Sequence, residues 1–146
     1  MAKLIVTPTQ AAQWLLETGF EGFQVIRMGQ ILAAESGLDA YAVNVVDSPG
    51  PAFRSLDVGL GQVNTYWGSP YTAEVWVEDI VTELLDPEAN LAVCRRIFLA
   101  RGGARDPLAG YNAWNVWRNV RPDGTRAVDQ FYRQAVDAAR AVGAWK

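Results

Sequence analysis

Glu35 is placed by its neighbours to hold a proton. On a helix the side chains three, four and seven positions before it are Leu32, Ile31 and Met28, so its carboxyl belongs to an apolar stripe. It also falls in the last turn before Gly37, where the negative end of the helix dipole disfavours a carboxylate. Both effects raise its pKa, the direction a general acid needs near neutral pH. The plainer alternative is a glutamate that bends out to solvent at a fraying helix end. Asp57 is a second carboxyl of interest, able to accept backbone N–H bonds in the Ser55–Gly59 turn. Asp47, in a Pro/Gly loop, is a weaker one and reads as an Asx-turn residue.

The histidine count is zero, which removes Ser-His-Asp and Cys-His triads and His-ligated zinc. Proton transfers must then come from carboxylates, tyrosine or lysine, and glycoside cleavage by Asp and Glu stands high among the remaining reactions. The single cysteine, Cys94, makes neither an internal disulfide nor a thiolate metal cage, and it shares a helical face with Leu91 and Phe98 as a small buried hydrophobe. No cofactor or metal motif is present. A chain of 146 residues, 50% hydrophobic and 20% charged, can bury a core and suits one domain over 1–146. A net charge of −3 without a basic stripe argues against nucleic acid. No apolar run suits a membrane span, no signal peptide is read at the start, and a monomer is expected.

The elements that must carry these residues read as helices around an irregular centre. Thr7 caps and Pro8 opens a first helix, with Gln10 placed to close a capping box and Gly19 to stop it. A second runs from about Gly22 to Ser36, ended by Gly37. From Gly37 to about Ser69 the helical period is lost; Asp47-Ser48-Pro49-Gly50-Pro51 is loop chemistry and Gly59-Leu60-Gly61 is backbone-permissive. Further helices are expected over Thr72–Leu85, Pro87–Ala100 (capped by Asp86) and from Asp106-Pro107 to about Trp117, and Thr125 is expected to cap the last one. The fold class is mainly α, with an irregular or short-β middle segment.

Four stretches resemble the soluble lytic transglycosylase and goose-type lysozyme superfamily, in the family's order. Glu35-Ser36-Gly37 through Asn44 is similar to its catalytic Glu-Ser signature, and Ser55-Leu56-Asp57-Val58-Gly59-Leu60-Gly61-Gln62-Val63-Asn64 to its G-L-M-Q motif. The latter is in the S-x-D-x-G-x-x-Q-I-N form seen in secretion-associated transglycosylases and chicken-type lysozymes. Asp86-Pro87-Glu88-Ala89-Asn90-Leu91 resembles the D-P-x-x-N-I helix start, and Ala109-Gly110-Tyr111-Asn112-Ala113-Trp114 the A-Y-N-A-G motif. Gly61 stands where the family usually has Met, Trp114 where it has Gly, and Val63-Asn64 where it has a more hydrophobic pair, which alters the shape of the cleft.

The resemblance implies an α+β lysozyme-like domain that cleaves the β-1,4 bond between N-acetylmuramic acid and N-acetylglucosamine in peptidoglycan. Such a domain acts at the cell wall, as a phage lysin, a virion-associated domain or part of a larger protein. In it Glu35 is the acid, and then the base that drives the C6 hydroxyl onto the anomeric carbon, giving a 1,6-anhydro product; this transglycosylase reading fits the motif layout best. In the hydrolytic alternative Asp57 holds the attacking water. Ser36 orients sugar or the Glu loop, or is an ordinary helix-end serine. Gln62 binds an acetamido or hydroxyl group, or braces the glycine-rich loop. Tyr111 turns its hydroxyl to Glu35, or is a core aromatic; Asn112 contacts sugar or braces backbone. Asn64 belongs with the substrate-binding set. Of the six tryptophans, Trp67, beside Tyr66, is the preferred stacking residue, while Trp14, Trp76 and Trp145 read as packing. A non-catalytic glycan-binding module is the reading from another class.

Overall fold

Pro8, Pro87 and Pro107, each behind a capping side chain, start three of the seven α-helices among the described residues. The computed structural model describes residues 2–47 and 54–146. In chain order these form α1 (Pro8–Thr18), α2 (Phe23–Ser36), β1 (Val43–Val46), β2 (Ser55–Val58) and β3 (Val63–Asn64). After a 3-10 turn at Ser69–Tyr71 come α3 (Val77–Leu85), α4 (Pro87–Ala100), α5 (Pro107–Tyr111) and α6 (Asn115–Arg118). A second 3-10 turn, Ala127–Phe131, leads into α7 (Tyr132–Ala141). The protein is predominantly helical with one small sheet. No helix among the described residues is long and apolar enough to cross a membrane.

Thr7 Oγ1 accepts the Gln10 N–H at 3.0 Å, Asp86 Oδ2 that of Ala89 at 3.0 Å and Asp106 Oδ1 that of Leu108 at 3.1 Å. Each answers one of the donors a helix start leaves unpaired. Helix α2 runs through the centre, packed by α1, α7 and the α5–α6 segment, with Val25, Ile26, Met28, Ile31 and Leu32 essentially inaccessible. Phe20 and Phe98 meet edge to face at 5.3 Å and join α1's end to α4. Gly37 ends α2 at φ 63°, a left-handed conformation that glycine takes at least cost.

The sheet is antiparallel in the order β1-β2-β3, and its two faces differ sharply. Val43, Val58 and Val63 lie in register across it and pack inward. The next row is Asn44, Asp57 and Asn64, and it points the other way, as strand alternation requires.

Three expected boundaries move. The third long helix begins at Val77, not Thr72, because the Thr72 hydroxyl bonds the Ser69 and Glu74 carbonyls and Glu83 holds the Ala73 N–H at 2.8 Å. The helix expected to reach Trp117 breaks into α5 and α6, since Trp114 takes extended backbone angles (φ −104°, ψ 126°). Thr125 does not cap the last helix: its hydroxyl donates to Asp123 at 2.6 Å, and Asp129 accepts the Arg126 N–H instead at 2.7 Å. Only half of the expected capping box at Thr7 forms, the Gln10 backbone bond. The expected loop at Ser48–Pro51 lies outside the described residues, and Asp47 beside it is ion-paired with Arg54 at 2.7 Å on the surface.

Candidate active site

The end of α2 sets Glu35 near Asp57 of β2, Cys94 of α4 and Val116 of α6. The side chains below it, Met28, Ile31 and Leu32, are fully buried, and Glu35 itself is half-buried at the rim of that stripe. Its pKa is pushed up to about 7. Burial is the main cause, the negative charge of Asp57 adds to it, and the Val116 backbone N–H pulls the other way. The solvent-directed alternative is thereby set aside.

Asp57 is also half-buried, and burial raises its pKa while a hydrogen bond from Asn64 lowers it. That bond is geometrically pre-set. Asp57 and Asn64 are direct partners across β2 and β3, so their side chains leave the sheet on one face. Asn64 Nδ2 donates to Asp57 Oδ1 at 2.9 Å and to Ser55 Oγ at 2.8 Å. Its Oδ1 accepts the N–H groups of Tyr66 at 2.9 Å and Trp67 at 3.1 Å. One amide therefore fixes both the carboxylate and the aromatic turn beyond it. Asn64, expected to touch substrate, has its donors and acceptor engaged within the chain.

Gln62 takes the bracing alternative. Its Nε2 donates to the carbonyls of Ala42 at 3.1 Å and Gly59 at 3.0 Å, and its Oε1 accepts from Asn44 Nδ2 at 2.6 Å. These bonds hold a residue at φ 48°, where a non-glycine side chain is strained. Ser36 Oγ bonds back to the Leu32 carbonyl at 3.0 Å, the ordinary helix-end serine. Tyr111 is a core aromatic, its ring 5.4 Å from that of Phe98 and 5.1 Å from that of Trp117. Burial raises its pKa to about 12 against the opposing charge of Arg27, and among the described residues no hydrogen bond joins its hydroxyl to Glu35. Asn112 ends α5 by donating its backbone N–H to Leu108 at 3.2 Å, with its side chain exposed.

Tyr66 and Trp67 stand out from the turn after β3, 65% and 73% exposed, ring against ring edge-to-face at 4.9 Å. Trp76 departs from expectation: it is 71% exposed, left outside because α3 starts one residue later. Trp145 packs its ring on Phe23 at 5.4 Å, and Trp14 lies against the core. Cys94 is fully buried, its thiol pKa raised by that burial, as a hydrophobic role predicts.

Two site-building residues carry no role in the sequence reading. Asn90, on α4, is completely buried: its Nδ2 donates to Val58 O and Leu84 O at 2.9 Å each, and its Oδ1 accepts the Gly61 N–H at 3.0 Å. An asparagine on the Leu91–Cys94 face of a helix was the visible signal. Trp114, seen only as a departure from the family pattern, sends its indole N–H to the Gly61 carbonyl at 3.0 Å. Gly61 is clamped from both sides and has no room for a side chain, since a Cβ would run into Cys94 Sγ. The result is a rigid support behind β2, the strand that carries Asp57, whose charge is felt at Glu35. That pair can protonate a leaving oxygen and stabilise positive charge. No protein-family model, curated protein or solved structure matches the chain.

Proposed function

We propose that the chain is a peptidoglycan-cleaving glycosidase that cuts the β-1,4 bond between N-acetylmuramic acid and N-acetylglucosamine, with Glu35 as the general acid. One observation carries the reading: Glu35 sits half-buried above the fully buried Met28, Ile31 and Leu32, where burial first and the charge of Asp57 second raise its pKa to about 7. A protonated Glu35 gives its proton to the glycosidic oxygen as the bond to the anomeric carbon breaks, and the ionised Asp57 offsets the oxocarbenium-like charge. The exposed rings of Tyr66 and Trp67 suit the apolar faces of sugars. The motif resemblance supplies the substrate class, and within it the lysozyme-like fold.

The second half of the reaction has two versions. In the transglycosylase version Glu35, now a carboxylate, takes the proton of the C6 hydroxyl, which closes a 1,6-anhydro ring. In the hydrolytic version a water held by Asp57 attacks the anomeric carbon instead. The motif layout favours the first. The Asn64-held Asp57 supports the second, since a lone acid would need no such partner.

Clearing of a purified cell-wall suspension tests the reading, with Glu35→Gln beside the unaltered protein. Clearing by the unaltered protein alone is expected. Equal clearing by both would remove Glu35 from the chemistry, and clearing by neither would favour a glycan-binding module. Mass spectrometry of the products then separates anhydro-muropeptides from reducing ends.

A further inference from the structure

We propose that Arg27 and Arg126, both stacked on the indole of Trp117, form an oxyanion site for a carboxylate or phosphate group. Arg126 lies 4.4 Å from the centre of the Trp117 ring and Arg27 lies 5.4 Å from it. Arg27 also covers the Phe23 ring at 4.4 Å and approaches that of Tyr132 at 5.7 Å. Two half-buried cations thus share one aromatic ring on the seam between α2, α6 and the 3-10 turn before α7.

Among the described residues no carboxylate forms an ion pair with either of them. Among the described residues the one ion pair is Arg54–Asp47, remote from this seam in sequence and at the surface. The two acids closest along the chain to Arg126 direct their hydrogen bonds elsewhere, Asp129 to the Arg126 backbone N–H and Asp123 to Thr125. Arg27 gives one N–H to Gln30 at 2.9 Å, while Arg126 Nε is buried with no acceptor. A chain with an acidic surplus had carboxylates to place here. Like charges gathered out of full hydration without a counter-charge are costly unless a ligand supplies one.

The geometry selects the ligand class. A guanidinium carries parallel N–H donors along its edge, and such an edge matches two oxygens of a planar or tetrahedral anion. An ammonium would not need this arrangement, and a neutral sugar would not offset the charge. Arg27 is eight residues before Glu35, or ~12 Å along α2, so this site is separate from the carboxyl pair. It stands whether or not Glu35 cleaves glycans.

The test is NMR of the arginine Nε–H signals in Glu35→Gln protein at low ionic strength, titrated with inorganic phosphate, N-acetylmuramic acid or N-acetylglucosamine. A saturable shift of the Arg27 and Arg126 signals is expected with an anion, half-complete at roughly 1–10 mM for partly hydrated charge-assisted bonds, and none with N-acetylglucosamine. The tighter of the two anions identifies phosphate or carboxylate as the natural group. Arg27→Gln and Arg126→Gln should each weaken binding about tenfold, the loss of one charge-assisted contact. Should Arg126→Gln unfold, Arg126→Lys keeps the charge on the ring without the fork and is expected to bind several-fold less tightly. Absence of any saturable shift overturns the proposal. So does a shift unchanged in the variants, or one matched by N-acetylglucosamine.

Discussion

Asp57 raises the pKa of Glu35, whereas Glu35 leaves Asp57 to lose its proton first. The asymmetry follows from ordering: by the pH at which Glu35 ionises, Asp57 is already charged, so the repulsion falls on Glu35. In the proposed reaction the active form has Glu35 protonated and Asp57 ionised. Wall cleavage should therefore fall on the alkaline side with an apparent pKa near 7 in kcat/KM. Asp57→Asn removes the repulsion, and the alkaline limb should move to lower pH. A pH–rate series on both proteins checks the direction; an unmoved limb would detach Asp57 from the acid.

The same burial makes Glu35 a burden on stability. Its folded pKa of about 7 exceeds the ordinary 4.5, so between these values the unfolded chain gives up a proton that the folded one keeps. Stability then falls as pH rises through that window and stays lowered above it. Glu35→Gln should leave stability unchanged at pH 4 and raise it at pH 8, by at most about 3 kcal/mol, less what partial hydration of the carboxyl already relieves. Urea unfolding at the two pH values measures the difference. Higher stability at both would point to packing instead of charge.

Asn64 connects a charge to an aromatic turn, and its removal should show in both. Asn64→Ala takes the donor from Asp57, whose pKa then rises, so the acidic limb of activity should shift to higher pH. It also frees the Tyr66 and Trp67 N–H groups, and a loosened turn should raise KM for glycan chains. Asn64→Asp adds a like charge beside Asp57 and should shift the limb further in the same direction. A pH–rate profile recorded with KM at each point separates the two effects.

Local rules made the partial burial and raised pKa of Glu35 legible, because helix period and dipole act through neighbours close in sequence. The same holds for the starts of α1, α4 and α5, where a capping oxygen and a proline lie side by side. The roles of Gln62 and Asn64 were not separable at that level. An amide can face sugar or backbone with equal chemistry, and the choice depends on which carbonyls and N–H groups the sheet register brings near. Tyr111 shows the same limit: its burial among Phe98 and Trp117 is set by how α5 meets α4 and α6. The break between α5 and α6 escaped for a related reason. Trp114 leaves helical geometry while bonding Gly61, a partner 53 residues away.

Trp67 and Trp114 should answer mutation in opposite ways. Trp67 is 73% exposed, so Trp67→Ala removes little folded contact, and its melting temperature should stay within a degree or two of the parent, as surface changes usually do. If it stacks on sugar, KM should rise about tenfold, the scale of one aromatic contact, with kcat nearly unchanged. Trp114 is buried, and Trp114→Phe leaves the Gly61 carbonyl without its indole donor. A buried carbonyl left unpaired costs about 1–3 kcal/mol, or several degrees of melting temperature in a chain this size. Val116, whose N–H faces Glu35, lies two positions further on, so kcat should fall as well. Thermal melts and saturation kinetics on the two variants resolve the pattern; a Trp67→Ala protein with parental KM would take the aromatic turn out of glycan binding.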